Sequence, residues 1–318
     1  MTLFENEKIL LAQIELNAAM SVAEICKATG FRSHTVRYGI TSMERRGIIR
    51  RATFIDTYPL GYVTYAVLFS LSPQSKSGKQ AFLDFLVASP CVSWLAELGG
   101  DFQYAMAITV QTPSDVSKFL SSVAETFGNV LSQKSVHIRM DFTQLNRRYL
   151  ADQPVSALSF GHTTPAVSID NIDHKILRAL SRNEFPTERE AQARLEISPS
   201  TWRNRVRRLR ERGVIVGDFY QVSAERLGTQ QFELLVHARG VRANLSGRLL
   251  AFAKSHPRIV HFVEGIGEWD FELGVEVENA QDVVGVTEDA YEAFPDDIAA
   301  LKTLPLFGTL KYSLYPFA

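Results

Sequence analysis

Apolar residues recur at helical spacing over the first fifty residues and again over residues 170–220; between these stretches and after the second one the period falls to two. In the first stretch Ile9, Leu10 and Ile14 define one helix, matched in the second by Ile176, Leu177 and Leu180. A second helix opens at Ser21-x-x-Glu24 and at Thr187-x-x-Glu190, where hydroxyl and carboxylate cap each other's backbone amides. A third carries Val36, Ile40 and Met43, or Trp202, Val206 and Leu209. That is an i, i+4, i+7 stripe and so one buried face. Gly47 and Gly213 follow where a helix ends in a left-handed residue. Three short helices with a tight turn before the third describe a helix-turn-helix.

After each helical stretch the pattern alternates. Val63, Tyr65, Val67, Phe69 and Leu71 share one face of a strand, and helix, two strands, helix and strand follow. The last helix of the set spans about 113–127 in the first half and 280–294 in the second. The order β-α-β-β-α-β is the ferredoxin-like arrangement, whose bare sheet face needs a cover, most simply a second such sheet. Laying Gly47 on Gly213 brings the halves into step, with "KIL" at 8 and 175 and "LAELGGDFQYAMAITV" on "FVEGIGEWDFELGVEV". The expected fold is therefore α+β, with two winged-helix-type helix-turn-helix domains and two ferredoxin-like (βαββαβ) domains in tandem. The expected boundaries are 1–54, 55–150, a linker at 151–169, then 170–220 and 221–318. The linker is rich in Pro, Ser and Thr and shows no periodicity.

Charge changes the picture locally and not globally. The 318 residues sum to a formal net charge of -1, yet residues 27–51 hold seven Lys/Arg against Glu44 alone. Residues 188–212 hold eight arginines against four acids. With Trp202, Val206 and Leu209 buried, Arg203, Asn204, Arg207 and Arg208 are expected to project outward. Arginine grips guanine or phosphate through two bonds, and asparagine does the same for adenine. Ser200 and Thr201 suit phosphate at the helix start. The competing reading is a solvated helix face on an interaction-only domain. The two cysteines, Cys26 and Cys91, have no disulfide or zinc spacing, which points to a reducing cytoplasm. Neither an apolar span of membrane length nor a signal-peptide start is present. The seven histidines lack metal-type spacing and read as surface or satisfied groups, so no metal and no cofactor are expected.

These motifs together resemble the leucine-responsive regulator (Lrp)/AsnC family of transcription factors, above all in "ISPSTWRNRVRRLRERGVI" and "GEWDFELGV". The resemblance implies double-stranded DNA as partner, a small-molecule effector such as an amino acid, and self-association. It assigns DNA contact to Ser200, Thr201, Arg203, Asn204, Arg205, Arg207 and Arg208, and to Ser33, His34, Thr35, Arg37 and Tyr38. Effector contact falls on Gly99, Gly100 and Asp101, and on Gly265, Gly267, Glu268 and Asp270. A tight β-turn with an exposed acid explains the same glycines equally well. The second copy departs from the family at Glu196, a turn position usually held by glycine. The first has Gly39 where the second has Arg205, which makes the second helix the better expected reader. Siroheme decarboxylases look like members of the same architecture and set histidine and arginine across the central strands. Here "SWLAELGGDFQYAMAI" has neither, and "VHFVEGIGEWDFELGV" has only His261.

Overall fold

The computed structural model describes residues 3–151, 153–161, 166–182 and 187–317. In chain order the first copy runs α1 (Glu5–Ile14), α2 (Val22–Thr29), α3 (Ser33–Arg45), β1 (Ile49–Ile55), β2 (Val63–Leu71), α4 (Lys76–Ala88), β3 (Val92–Leu98), β4 (Tyr104–Val110), α5 (Pro113–Phe127), β5 (Leu131–Arg139) and β6 (Phe142–Leu145). Then comes β7 (Ala157–Phe160). The second copy runs α6 (Asn171–Arg182), α7 (Glu188–Arg194), α8 (Pro199–Glu211), β8 (Ile215–Val222), α9 (Ala224–Leu227), β9 (Gln230–Ala238), α10 (Leu245–Ser255), β10 (Ile259–Ile266), β11 (Phe271–Val277), α11 (Val283–Ala293) and β12 (Ile298–Tyr312). Among the described residues no helix is long and apolar enough to cross a membrane.

The local rules hold where the sequence is explicit. Ser21 Oγ accepts from Glu24 N at 3.3 Å while the Glu24 carboxylate accepts from Ser21 N at 2.7 Å. Gly47 and Gly213 adopt φ +66° and +73°, and the following amides, Ile48 and Val214, reach back to the carbonyls of Met43 and Leu209 at 2.9 Å. Trp202, Val206 and Leu209 are buried in the second head, as are Val36 and Met43 in the first. In α1 the buried stripe is Leu10, Leu11 and Ile14, with Ile9 only half-buried.

The two sheets do more than cover one another. Pairing runs β11–β9–β12–β3–β4–β2–β5–β10 and returns from β10 to β11, so eight antiparallel strands close a ring. Closure comes from the fourth ferredoxin-like strand of each copy, β5 and β12, which crosses to the other copy. β12 pairs with β9 through Leu306 and then with β3 through Tyr312. β5 pairs with β2, and its end meets Gly265 and Ile266 of β10. A closed ring leaves none of these eight strands as an open edge.

Outside the ring, α4 and α5 cover Tyr65, Val67 and Phe69, while α10 and α11 cover Phe232, Leu234 and Val236. Inside it, Leu68, Leu98 and Phe102 from one copy meet Leu235, Trp269 and Leu304 from the other.

The helical heads are joined as well. β1 and β8 pair antiparallel from Ile49↔Val222 to Phe54↔Gly217, so equivalent strands of the two copies meet about a local two-fold. Asp218 sits at that axis, accepting from Thr53 Oγ1 and Arg210 at 2.9 Å each.

The segment expected to be a featureless linker needs correction. Ala157–Phe160 is a strand on β6, and the Phe160 ring packs on Phe54 and Phe142. Three apolar residues in "ALSF" are too few to show a period, and Phe54, on which Phe160 packs, lies about a hundred residues away. Residues 152 and 162–165 of that expected linker lie outside the described residues.

Candidate nucleic-acid interface and the charged barrel interior

On α8 the buried stripe turns Arg203, Asn204 and Arg207 to solvent, with Arg207 70% exposed. Asn204 Oδ1 accepts from Arg207 at 3.1 Å, which sets both polar ends on one patch. Ser198 is the N-cap and accepts from Thr201 N at 3.1 Å, leaving Ser200 exposed at the first turn and Thr201 half-buried. On α3, Ser33, His34, Arg37 and Tyr38 are exposed, Tyr38 at 71%, and Thr35 is half-buried beside the His34 ring. Both third helices therefore present polar faces on heads locked to each other through β1 and β8.

The expectation that Arg208 projects freely is corrected, and Arg205, expected to contact DNA, is drawn the same way. Both turn back onto α6, where Arg205 and Arg208 each pair with the fully buried carboxylate of Asp173. Arg205 also meets Asp170. The first head builds the same lock from different residues, with Glu7 held by Arg46 at 2.8 Å and Ser42 at 3.0 Å. A carboxylate taken out of water needs this company. Gly39 has its own reason to be glycine: a Cβ there would lie 2.8 Å from Leu10 Cδ2, so it sets the approach of α3 to α1.

Glu196 takes φ +56° in the turn between α7 and α8, where Gly30 takes +74° in the first copy. A left-handed residue with a Cβ costs about 1 kcal/mol or more, a cost glycine avoids. Replacing Glu196 by glycine is expected to raise the melting temperature by about 2 °C, and replacing Gly30 by alanine to lower it similarly. Differential scanning calorimetry on the two variants checks both signs.

At the expected effector positions the space beside the glycines is filled from within. A Cβ on Gly265 would lie 1.9 Å from His137 Nε2, and one on Gly267 2.7 Å from His137 Nδ1. Glu268 accepts from Ser135 at 2.7 Å and meets Lys302 at 3.4 Å; Asp270 accepts from Ala238 N at 2.7 Å. Gly99 faces Phe307 and Pro305, Gly100 takes φ +89°, and Asp101 lies 3.8 Å from Lys302. Beside this last loop is a cleft of about 500 Å³ whose walls include Lys79, Glu97, Gln103, Tyr104 and Phe307. Lys79 and Glu97 are 4.0 Å apart there, with the ammonium over the Tyr104 ring.

The largest departure from the sequence reading is inside the ring. Arg139 donates to Glu272 at 2.8 Å, Trp269 Nε1 donates to the same carboxylate at 3.1 Å, and His261 lies 3.0 Å from Glu233. Farther along, Arg147 grips Glu276 through two bonds of 2.7 Å and also binds Glu15, which follows α1. Tyr149 and Gln231 complete the shell of Glu276 at 2.6 and 2.9 Å. Burial works against the Glu276 charge, but Arg147 holds its carboxyl below the ordinary value. Burial pushes Glu15 up despite Arg147, with the Glu276 charge adding to the rise.

Not all histidines are surface or satisfied groups. His137 is fully buried, stacked on Trp269 at 4.4 Å, and among the described residues neither ring nitrogen has a partner. His162 lies outside the described residues. Burial lowers the His137 pKa to about 4, opposed by Glu272 and aided by Arg139.

Unfolded histidine titrates near 6.5. As pH falls below that, the unfolded chain gains a proton that the folded chain refuses until about pH 4. Stability is lost across this window, by about 2 kcal/mol between pH 7 and pH 5. Urea melts at both pH values should show that loss in the native protein and a smaller one in His137→Phe.

Comparison with known proteins agrees with the heads and the barrel. Residues 169–216 match a family model described as winged helix-turn-helix DNA-binding. The chain is 34% identical over 102 residues to the HTH-type transcriptional regulator Ptr1 of Methanocaldococcus jannaschii, covering 32% of this chain and 68% of that protein. It is 26% identical over 117 residues to the HTH-type transcriptional regulator FL11 of Pyrococcus horikoshii, covering 37% and 76%. The fold as a whole is similar to the crystal structure of the siroheme decarboxylase NirDL, with TM-score 0.61 and 16% identity over 97% of this chain and 93% of that one. Fold and matched head define a winged helix-turn-helix DNA-binding protein. The chain belongs to the Lrp/AsnC family of HTH-type transcriptional regulators.

Proposed function

We propose that this regulator grips one double-stranded operator with α3 and α8 together, and that the two half-sites differ in sequence. The observation that carries this is the contrast between the exposed faces. Arg203, Asn204 and Arg207 on α8 suit guanine and adenine edges, while Arg37 and the exposed Tyr38 ring on α3 offer one cation and an aromatic surface. The cleft between Lys79 and Glu97 suits the opposed charges of an amino acid or a related small molecule as effector. Self-association and a cytoplasmic location accompany this reading, as does an absence of catalysis.

The test is footprinting on DNA upstream of the protein's own gene, with and without amino acids, together with a salt titration. Phosphate contacts release counterions, so affinity should fall steeply as salt rises. A flat salt dependence, or a footprint with two identical half-sites, contradicts the proposal. His137, Arg139 and His261 in the barrel interior favour one other reading, a tetrapyrrole enzyme. Tight binding in a porphyrin absorbance titration would establish that alternative.

A further inference from the structure

The local two-fold between the heads carries a second group of charges. On the ribbon of β1 and β8, Ala52, Phe54 and Phe219 pack with Phe142, Leu158 and Phe160 of the strands beneath. Alternate residues of a strand take opposite faces, so Arg51, Thr53 and Asp218 look away from those strands. The Asp218 carboxylate is nearly buried there, held by Thr53 and by Arg210 from α8, with Arg51 at 4.0 Å. Both arginines are half-exposed.

Arg210 lies seven residues after Arg203 and three after Arg207, a spacing that puts all three on one face of α8. The outer face of the ribbon is therefore continuous with the reading face of that helix. The first copy has Glu44, exposed, where the second has Arg210. Burial raises the Tyr220 phenol, with Glu44 adding to the rise and Arg51 opposing it, so both of these charges lie close to the ribbon. At the centre, Asp218 and Glu44 thus stand against Arg51 and Arg210, while Arg37, Arg203 and Arg207 are exposed farther out along the helices.

We propose that Asp218 is a built-in competitor of the DNA phosphates, withholding Arg210 and Arg51 from a duplex bound by α3 and α8. A duplex that takes two reading helices in successive major grooves, about one helical turn apart, passes its backbone across the axis between the heads. Free cations there would add affinity for DNA of any sequence, since phosphate contacts carry no base information. An aspartate paired with both arginines cancels that gain and shortens the stay of the regulator on unrelated DNA. The inference rests on the reading of α3 and α8 as the helices that grip DNA.

The test is fluorescence anisotropy of the full chain with two labelled duplexes, one from upstream of its own gene and one of shuffled sequence. Asp218→Asn keeps an acceptor for Thr53 and Arg210 and removes only the charge. It should tighten binding to both duplexes by about threefold or more at about 0.1 M salt, and steepen the salt slope by about one. Arg210→Gln should weaken binding by less than about twofold in the native chain, yet remove most of the gain when combined with Asp218→Asn. Asp218→Ser takes its place if circular dichroism shows the asparagine variant misfolded. The proposal is overturned if a folded Asp218 variant binds both duplexes no tighter than the native chain. It is also overturned, with no Asp218 variant needed, if Arg210→Gln alone weakens binding by about twofold or more. Failure of the underlying reading has a separate signature: replacing Arg203 and Arg207 by alanine then leaves binding to both duplexes unchanged, and the proposal falls with it.

Discussion

Replacing Arg203 and Arg207 together by alanine is expected to weaken operator binding by about thirtyfold or more while leaving thermal stability nearly unchanged. Each arginine that meets a base edge contributes about 1–3 kcal/mol, and both side chains stand on the solvent face of α8. Arg205→Ala and Arg208→Ala should behave in the opposite way. Each strips a partner from the buried Asp173 carboxylate, so the loss should appear first as a lower melting temperature. Fluorescence anisotropy with a labelled operator, run beside calorimetry, separates the two classes. If Arg205 or Arg208 alone governed affinity at unchanged stability, the assignment of α8's faces would be wrong.

The largest loss of stability should come from Arg147. Its guanidinium is the shared counter-ion of two buried carboxylates, Glu15 from the first head and Glu276 from the barrel. Removing one partner of a buried ionic group typically costs about 3–5 kcal/mol, because the charges left behind have no water to replace it. Arg147→Met should lower the unfolding free energy read from urea melts by that amount. Adding Glu15→Gln and Glu276→Gln to the same chain should recover part of the loss, since the uncompensated charges are then gone. A triple variant no better than Arg147→Met would mean that the packing of the arginine, and not its charge, matters.

Much of the fold was legible because helices and outer strand faces announce themselves by period. The stripe of Trp202, Val206 and Leu209, and the alternation of Val63, Tyr65, Val67, Phe69 and Leu71, read directly onto buried faces. The barrel interior was not legible, for a physical reason. In "FELGVEV" the polar members Glu272 and Glu276 alternate with apolar ones, as they would in a strand with one face in water. Here helices cover the apolar face and the opposite sheet covers the polar one, so the alternation marks a charged interior. His137 was hidden likewise, on a strand outside the quoted motif, with its glycine partners half a chain away. The faces of α8 were read correctly for Arg203, Asn204 and Arg207. Periodicity fixed which positions are apolar but could not foresee that Asp170 and Asp173 on α6 would draw Arg205 and Arg208 inward.

The pairing of β1 with β8 and the exchange of β5 and β12 have a further consequence, for mass action. In a regulator assembled from two separate chains, dilution separates the reading heads and steepens the dependence of DNA occupancy on concentration. Here the heads belong to one molecule, so bringing the two together needs no encounter between subunits. Occupancy of a single two-headed site should follow a simple hyperbola down to the lowest concentrations, and the two heads are free to diverge without losing one another.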